Sequence, residues 1–412
     1  MKLVKKVVHG ISWRVAVFFR RVVARCYNTA TQKILYPLSY RKYSREAVQK
    51  DKIVFLEIRM MELTDNFQRI YDALQKEGKY RFTVCCIGSE LASRSQQCKN
   101  SLAALKEIAT ARYVFINDSS SLISCIPLRP ETKVIQTWHA CGAFKRFGFS
   151  TAQKQFGGSY KQLMRFPLHR NFSLVTVSSP EVIWAYAEAF HMEDRKEDIV
   201  ATGISRTDVF YDQAAIAAAY EKIHRLVPAS RDKKVILYAP TYRGRVAKAY
   251  SPEEMDLVQM HEALGEEYVL VFKHHPFVKN RPVVPENLKD FAIDLTADMT
   301  IEELLMVSDI CISDYSSLVF EYSLFERPML FFAYDLEEYF DWRGFYYDFA
   351  EMTPGPTCKT TEEMIDYIQH LDTRFDRQRV IDFKNKFMSA CDGHATERIL
   401  ELLQMKWEKA SS

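Results

Sequence analysis

From residue 53 to residue 332, short apolar runs alternate with longer stretches of helical periodicity, and this alternation limits the fold more than any other feature of the chain. Candidate strands are 53–56, 82–87, 113–116, 134–136, 174–177 and 199–201, then 235–238, 268–272, 291–295, 310–312 and 329–332. Strand and helix in strict alternation imply parallel, doubly wound sheets. Two such series in 412 residues imply two α/β domains. A polar, proline-bearing stretch, Val227-Pro228-Ala229-Ser230-Arg231-Asp232, separates them. The expected division is 1–45, 46–230 and 231–412, with a last helical stretch from Val380 to Trp407 able to cross back to the first domain.

The first 45 residues differ in kind. They hold 11 Lys and Arg and no Asp or Glu, whereas the remainder carries 45 basic against 53 acidic side chains. Val4, Val8, Ile11, Val15, Phe18 and Val22 recur at steps of three and four, which is one helical face. Lys5, Lys6, Arg14, Arg20, Arg21 and Arg25 lie between them, with Trp13 and Phe19 near the boundary. The longest unbroken apolar run, Val15 to Phe19, is far short of the ~20 residues a bilayer span needs. No small-residue cleavage site follows a proper apolar core, which argues against a secretory signal. A basic amphipathic helix lying in the interface of an anionic membrane fits this pattern, and a helix packed on the body is the alternative. Nucleic acid is a poor partner for an acidic body whose basic arm is interleaved with an apolar stripe.

The nine cysteines show no C-x-x-C pair and no zinc spacing. Cys85 and Cys86 are adjacent in a candidate strand and point to opposite faces. The odd count and apolar settings predict reduced thiols in the cytoplasm, most of them core residues.

Chemistry concentrates at strand ends, where open α/β sheets bind ligands. The run Ile310-Cys311-Ile312 leads straight into Ser313-Asp314-Tyr315-Ser316-Ser317 and then a helical pattern from Leu318. That places Ser316 and Ser317 beside unpaired N–H groups at a helix start, a setting suited to phosphate. A simple N-cap role explains the same residues. Other strand ends carry Ala239-Pro240-Thr241-Tyr242-Arg243-Gly244, Lys273-His274-His275-Pro276, Gln136-Thr137-Trp138-His139 and Thr202-Gly203-Ile204-Ser205-Arg206-Thr207-Asp208.

Set side by side, these blocks resemble the CDP-glycerol glycerophosphotransferase family, the teichoic acid primases and polymerases. That family shows Trp-His-Gly-Thr-Pro-Leu-Lys, Gly-x-Pro-Arg-x-Asp, Ala-Pro-Thr-Trp-Arg, x-x-His-Pro and Asp-Tyr-Ser-Ser blocks. A Lys/Arg-Pro and an Arg-Gly-Phe-Tyr-x-Asp segment follow, matched here by Arg327-Pro328 and Arg343-Gly344-Phe345-Tyr346-Tyr347-Asp348. The blocks stand in the family order over roughly residues 110–350. Departures are Ala140-Cys141-Gly142 for Gly-Thr-Pro, Ser205 for the proline before Arg206, and Tyr242 for the tryptophan of the Ala-Pro-Thr block. They read as a subgroup signature, because His139, Lys145, Arg206, Asp208, Arg243, His275 and Pro276 remain.

The resemblance implies a GT-B arrangement, with two Rossmann-like domains facing a cleft, the donor nucleotide on the C-terminal one and the acceptor on the other. It implies a peripheral enzyme on the cytoplasmic face of the bacterial membrane, held there by its N-terminal amphipathic helix. The implied reaction moves a polyol phosphate from a CDP-polyol to a hydroxyl of a lipid-linked teichoic acid precursor and releases CMP. Glycerol phosphate is the first choice of unit, ribitol phosphate the second. With no second catalytic domain in the sequence, a primase or short-chain enzyme is favoured over a long-chain polymerase. His139 is the expected general base, since it follows a strand end and histidine titrates near neutrality; a structural histidine packed beside Trp138 is the alternative. His275 is expected to stabilise the transferring phosphate or protonate the leaving group. Arg243 and Lys273 are expected phosphate contacts, against surface cations. Ser316 and Ser317, helped by Thr241, would hold the pyrophosphate. Glu321 would accept from polyol or ribose hydroxyls or stand solvated in its helix. Asp314 would shape its turn. Arg206 and Asp208 would form an interdomain pair or a turn, Arg343 would reach phosphate or brace its loop, and Lys145 is a further candidate. No metal ligand set is evident, so no cofactor is expected, with Mg²⁺ able to accompany the donor pyrophosphate. A sugar-nucleotide glycosyltransferase and an inactive membrane scaffold are the rival functions.

Overall fold

The computed structural model describes residue 19, residues 22–152, residue 154, residues 157–244 and residues 248–408, without the side chains of 340–343 and 408. It is an α/β fold with two parallel six-stranded sheets. In the first, β1 (Gln49–Glu57), β2 (Arg81–Cys86), β3 (Ala111–Ile116), β4 (Lys133–Gln136), β5 (Leu174–Thr176) and β6 (Ile199–Val200) take the order β2-β1-β3-β4-β5-β6. In the second, β7 (Lys234–Tyr238), β8 (Tyr268–Phe272), β9 (Ala292–Asp294), β10 (Ile310–Ser313), β11 (Met329–Phe332) and β12 (Thr357–Cys358) take the order β12-β11-β10-β7-β8-β9. By packing, the chain forms two compact units. The first is Met1–Phe67, Leu74–Gln136 and Ser159–Leu174; the second is Gln68–Ala73, Thr137–Gly158 and Val175–Ser412.

The strands are apolar runs because helices cover both faces of a parallel sheet. Ile53, Val54, Phe55 and Leu56 of β1 are fully buried, as are Ile236 and Leu237 of β7. Helix starts are set by side-chain caps: Ser93 accepts from Gln96 N–H, and Thr300 forms a capping box with Glu303. The linker expected at 227–232 is a 3₁₀ turn, Pro228–Arg231, in which the fixed proline φ suits the first position.

One helix expected from Val380 to Trp407 is two, Arg377–Phe387 and Ala395–Leu403, followed by a π-turn, Gln404–Glu408. The break holds Gly393 at φ 91°, a conformation that excludes helix continuation. The second helix starts on the Asp208 carboxylate, which accepts from Ala395 N–H (3.0 Å) and from Thr396 N–H (2.8 Å) and Oγ1 (2.6 Å).

Of the amphipathic arm, Val4 to Phe18 lie outside the described residues. The chain is helical over 22–29 and continues through a π-turn, Ala30–Leu35, into the helix Tyr36–Tyr43. Phe19, Val23, Ile34 and Leu38 are all more than half exposed. Among the described residues no helix is long and apolar enough to cross a membrane. All nine cysteines are unbridged; Cys141, Cys311, Cys358 and Cys391 are buried, whereas Cys26 is exposed and the other four are half-buried. The expectation that most sit in the core is therefore too strong.

Candidate active site

In the second sheet the chain passes from β7 to β8 and β9 on one side and returns to β10 and β11 on the other. The switch point lies between β7 and β10, where an open sheet leaves a crevice at its carboxyl edge. The strand ends there are tied together: Ala239 N–H donates to the Ile312 carbonyl (2.9 Å), and Ser313 Oγ donates to the Ala239 carbonyl (2.8 Å).

Asp314 is the hub of this edge. It is 1% exposed. Oδ1 accepts from the backbone N–H groups of Thr241 (2.9 Å) and Tyr315 (2.6 Å). Oδ2 accepts from Thr241 Oγ1 (2.8 Å) and Arg243 Nη1 (3.0 Å). Asp314 thus shapes the turn, as expected, and does so by joining it to β7. Arg243 is held on the other side by Asp335, which takes Nε at 2.7 Å and Nη2 at 3.0 Å. Its Nη1 also donates to the Thr241 carbonyl at 2.8 Å. One of its five N–H groups is left over among the described residues. Its guanidinium lies over the rings of Tyr315, Tyr334 and Tyr339 at 5.3–5.6 Å. Asp314 and Asp335 raise its pKa against the opposing effect of burial. The bidentate grip foreseen for a phosphate is taken by a carboxylate.

Asp335 escaped the sequence reading. The available signal was Ala333-Tyr334-Asp335, a carboxylate just past the end of β11. Tyr315 Oη donates to it at 2.8 Å and Tyr315 stacks on Tyr339 at 4.0 Å. Lys145 Nζ donates to Tyr339 Oη at 3.1 Å. The Lys145 block also pairs with the last family block: Arg146 N–H donates to the Gly344 carbonyl (3.1 Å) and Tyr346 N–H to that of Phe144 (3.0 Å). Arg343 ends the helix Leu336–Arg343, and its side chain lies outside those described.

Ser316 and Ser317 are half-buried at the start of Leu318–Tyr322. Ser316 Oγ accepts from Leu318 N–H at 3.4 Å, while Ser317 makes no side-chain cap. The helix has five residues before a 3₁₀ turn, Ser323–Phe325. Its dipole is correspondingly small, so an anion here would rely on local N–H groups.

Glu321 is not solvated. It is 3% exposed and ion-paired with Arg206, whose Nη1 also donates to Glu302 at 3.0 Å. Burial pushes the Glu321 carboxyl up to about 7, against the pull of Arg206. The guanidinium keeps its proton, because two carboxylates flank it. Arg206 Nη2 further donates to the His139 carbonyl at 3.3 Å. The expected Arg206–Asp208 pair is replaced by two separate roles, since Asp208 caps the helix at Ala395.

Lys273 donates to the carbonyls of Thr296 (2.9 Å) and Met299 (2.5 Å), and burial lowers its pKa. It braces a loop with two of its three donors. His274 and His275 lie just past β8 and have different neighbours. His274 is buried, bonded through Nδ1 to Ser251 Oγ at 2.8 Å, and its pKa is lowered by burial. A cavity of about 540 Å³ opens beside it, walled by Tyr238, Met255, Phe272, Val284 and Leu288. His275 is half-buried between Tyr242 (4.8 Å) and Phe277 (4.5 Å). Its Nδ1 accepts from Phe277 N–H at 3.2 Å. The neutral ring therefore carries its proton on Nε2.

His139 is half-buried beside Trp138, ring centroids 4.4 Å apart. Trp138 has φ 55°, costly for a bulky residue and typical of places where function dictates the backbone. Its ring stacks on Phe147 at 5.1 Å and meets Phe190 edge-on at 5.2 Å, which fixes the turn that presents His139. Gly142 follows at φ 61°, and a Cβ there would meet the Phe320 ring at 2.5 Å. Its N–H donates to Ser178 Oγ at 3.0 Å. Proline could satisfy neither condition, so Ala140-Cys141-Gly142 is a backbone alternative to Gly-Thr-Pro.

Comparison with known proteins identifies the family. Residues 38–405 match CDP-Glycerol:Poly(glycerophosphate) glycerophosphotransferase. The teichoic acid ribitol-phosphate primase of Bacillus spizizenii is 35% identical over 390 residues, covering 94% of this chain and 97% of its own. The teichoic acid poly(ribitol-phosphate) polymerase of the same strain is 34% identical over 377 residues, 91% of this chain but 60% of its own length. Other ribitol-phosphate polymerases reach 33–35% and glycerol-phosphate enzymes 27–31%. A histidine-to-asparagine variant of the wall teichoic acid polymerase TagF superposes with a TM-score of 0.74 at 24% identity, covering 95% of this chain and 98% of that one. The chain belongs to the CDP-glycerol:poly(glycerophosphate) glycerophosphotransferase family, and it is a polyolphosphotransferase that draws a polyol phosphate from a CDP-polyol.

Proposed function

We propose that this chain adds ribitol phosphate from CDP-ribitol to a hydroxyl of a lipid-linked teichoic acid precursor. The meeting of the Ala-Pro-Thr, His-Pro and Asp-Tyr-Ser-Ser blocks at the carboxyl ends of β7, β8 and β10 carries the donor half of this reading. The higher identities to the ribitol-phosphate enzymes favour ribitol over the glycerol unit first expected from the sequence.

In the proposed step the acceptor oxygen attacks the phosphorus that bears the polyol. His139 takes its proton, and the bond to the CMP oxygen breaks. Positioning and charge stabilisation do most of the work in such a transfer. The proton on Nε2 of His275 supports its role as donor to the phosphate or leaving group. Ser316 and Ser317 with their N–H groups take the pyrophosphate, and the cavity beside His274 takes the cytidine. Arg243, Asp314 and Asp335 position these loops, and Arg206 holds the His139 carbonyl. Any Mg²⁺ arrives with the donor. The assignment of the two domains to the GT-B fold belongs to the same proposal.

The basic arm attaches the protein to the cytoplasmic face of the membrane in this reading. The exposed apolar side chains at Phe19, Val23, Ile34 and Leu38 support it. A competition between CDP-ribitol and CDP-glycerol tests the choice of unit. A kcat/KM favouring CDP-ribitol at least tenfold is expected, and a preference for CDP-glycerol would reverse it.

A further inference from the structure

We propose that the first unit carries a binding site for a neutral, hydroxyl-rich saccharide, in a cavity of about 520 Å³ at the carboxyl edge of its sheet. It rests on the geometry of that unit and not on the transfer reaction. The chain leaves β1 for β2 on one side and reaches β3 on the other, so the switch point lies between β1 and β3. Ile58 and Arg59, just past β1, and Asp118 to Ser121, just past β3, line the cavity. The helical run through Tyr27, Gln32 and Tyr36 closes it. Its size falls within the 300–1,000 Å³ range of small-molecule sites.

The charges lining the cavity balance, which favours a neutral ligand. Arg59 is paired with Asp118 and lies 3.5 Å from Glu90, and Arg94 is a second cation on the rim. An anion would meet the two carboxylates and a cation the two guanidiniums. Gln32 identifies what is wanted instead. It is 8% exposed, and its Oε1 is buried with no hydrogen-bond partner among the described residues. A buried acceptor left empty is costly, so this oxygen calls for a donor such as a hydroxyl. The serine run 119–121 offers hydroxyls that can give or accept. Tyr27 and Tyr36 supply rings against which the C–H face of a sugar packs.

Saturation-transfer NMR on the full chain tests this with the methyl glycosides of glucose, galactose, mannose and N-acetylglucosamine. Glucose 6-phosphate and glucosamine serve as charged controls. Transfer to at least one neutral glycoside is expected, weakened about tenfold or more by Gln32→Leu at an unchanged melting temperature. If Gln32→Leu does not fold, Ser121→Ala in the half-buried serine run gives the same reading. The octyl form of the tightest glycoside, kept below its micelle concentration, separates the sources. Tighter binding than the methyl form assigns a lipid-borne sugar, and equal binding assigns the sugar alone; both sustain the site. No transfer to any neutral glycoside, stronger binding of a charged control, or unchanged binding in both variants overturns it.

Discussion

Replacing Asp314 by asparagine separates a carboxylate that builds the site from one that merely touches substrate. The amide keeps an oxygen for the N–H groups of Thr241 and Tyr315. It puts an N–H₂ where Oδ2 now accepts from Arg243 Nη1 at 3.0 Å. Thr241 can turn its hydroxyl to accept, but Arg243 has no acceptor to offer. A broken buried ion pair costs about 3–5 kcal/mol, and Asp335 still neutralises the guanidinium, so the cost should fall to about 2–3 kcal/mol. For a unit of this size that lowers Tm by about 4–12 °C. Asp314→Ala removes every acceptor and should cost about 4–5 kcal/mol, roughly doubling the shift. Calorimetry of the substrate-free protein provides the measurement. An asparagine variant that melts within 1 °C of the parent while losing turnover would refute the reasoning, because Asp314 would then act on substrate alone.

Other outcomes follow from the same geometry. His139→Ala and His275→Ala should each lower kcat by about 10²–10⁴ with little change in Tm, since both rings are half-buried; full turnover in either would remove it from the mechanism. Burial raises the Glu321 carboxyl to about 7, so its contribution is fully present below the ordinary carboxylate range and is lost as pH rises through about 7. Between pH 5 and pH 8 the parent should therefore lose stability relative to Glu321→Gln, by up to about 3 kcal/mol in denaturant titrations, and parallel curves would count against the shift. Deleting residues 1–28 should release the protein from vesicles rich in anionic lipid; retention on the vesicles would rule out the arm as anchor.

The strands were legible because a two-faced parallel sheet demands unbroken apolar runs, and Ile53 to Leu56 or Val235 to Tyr238 allow little else. β12 was not, because Thr357–Cys358 is a two-residue edge whose pairing with Phe331 and Phe332 decides it. The C-terminal helix was drawn too long because periodicity resumes on both sides of Gly393, and the cap that restarts it, Asp208, lies 187 residues away. The strand ends bring Thr241, Arg243, Asp314 and His275 to the carboxyl edge of the second sheet. Their partners were hidden for the same reason as the cap: the Asp335 that occupies Arg243 is 92 residues distant, and the Glu302 that shares Arg206 is 96. Single-sequence reasoning sees which residues reach an edge but not which charges cancel there. For that reason Arg243 and Lys273 read as open cations, whereas the fold commits most of their donors to itself.

The leaving nucleotide tests the central claim most directly. Purified protein given CDP-ribitol and a lipid-linked acceptor should release CMP in step with ribitol phosphate appearing on the acceptor, and lose both together in His139→Ala. Release of a nucleoside diphosphate, or transfer without CMP, would contradict the account.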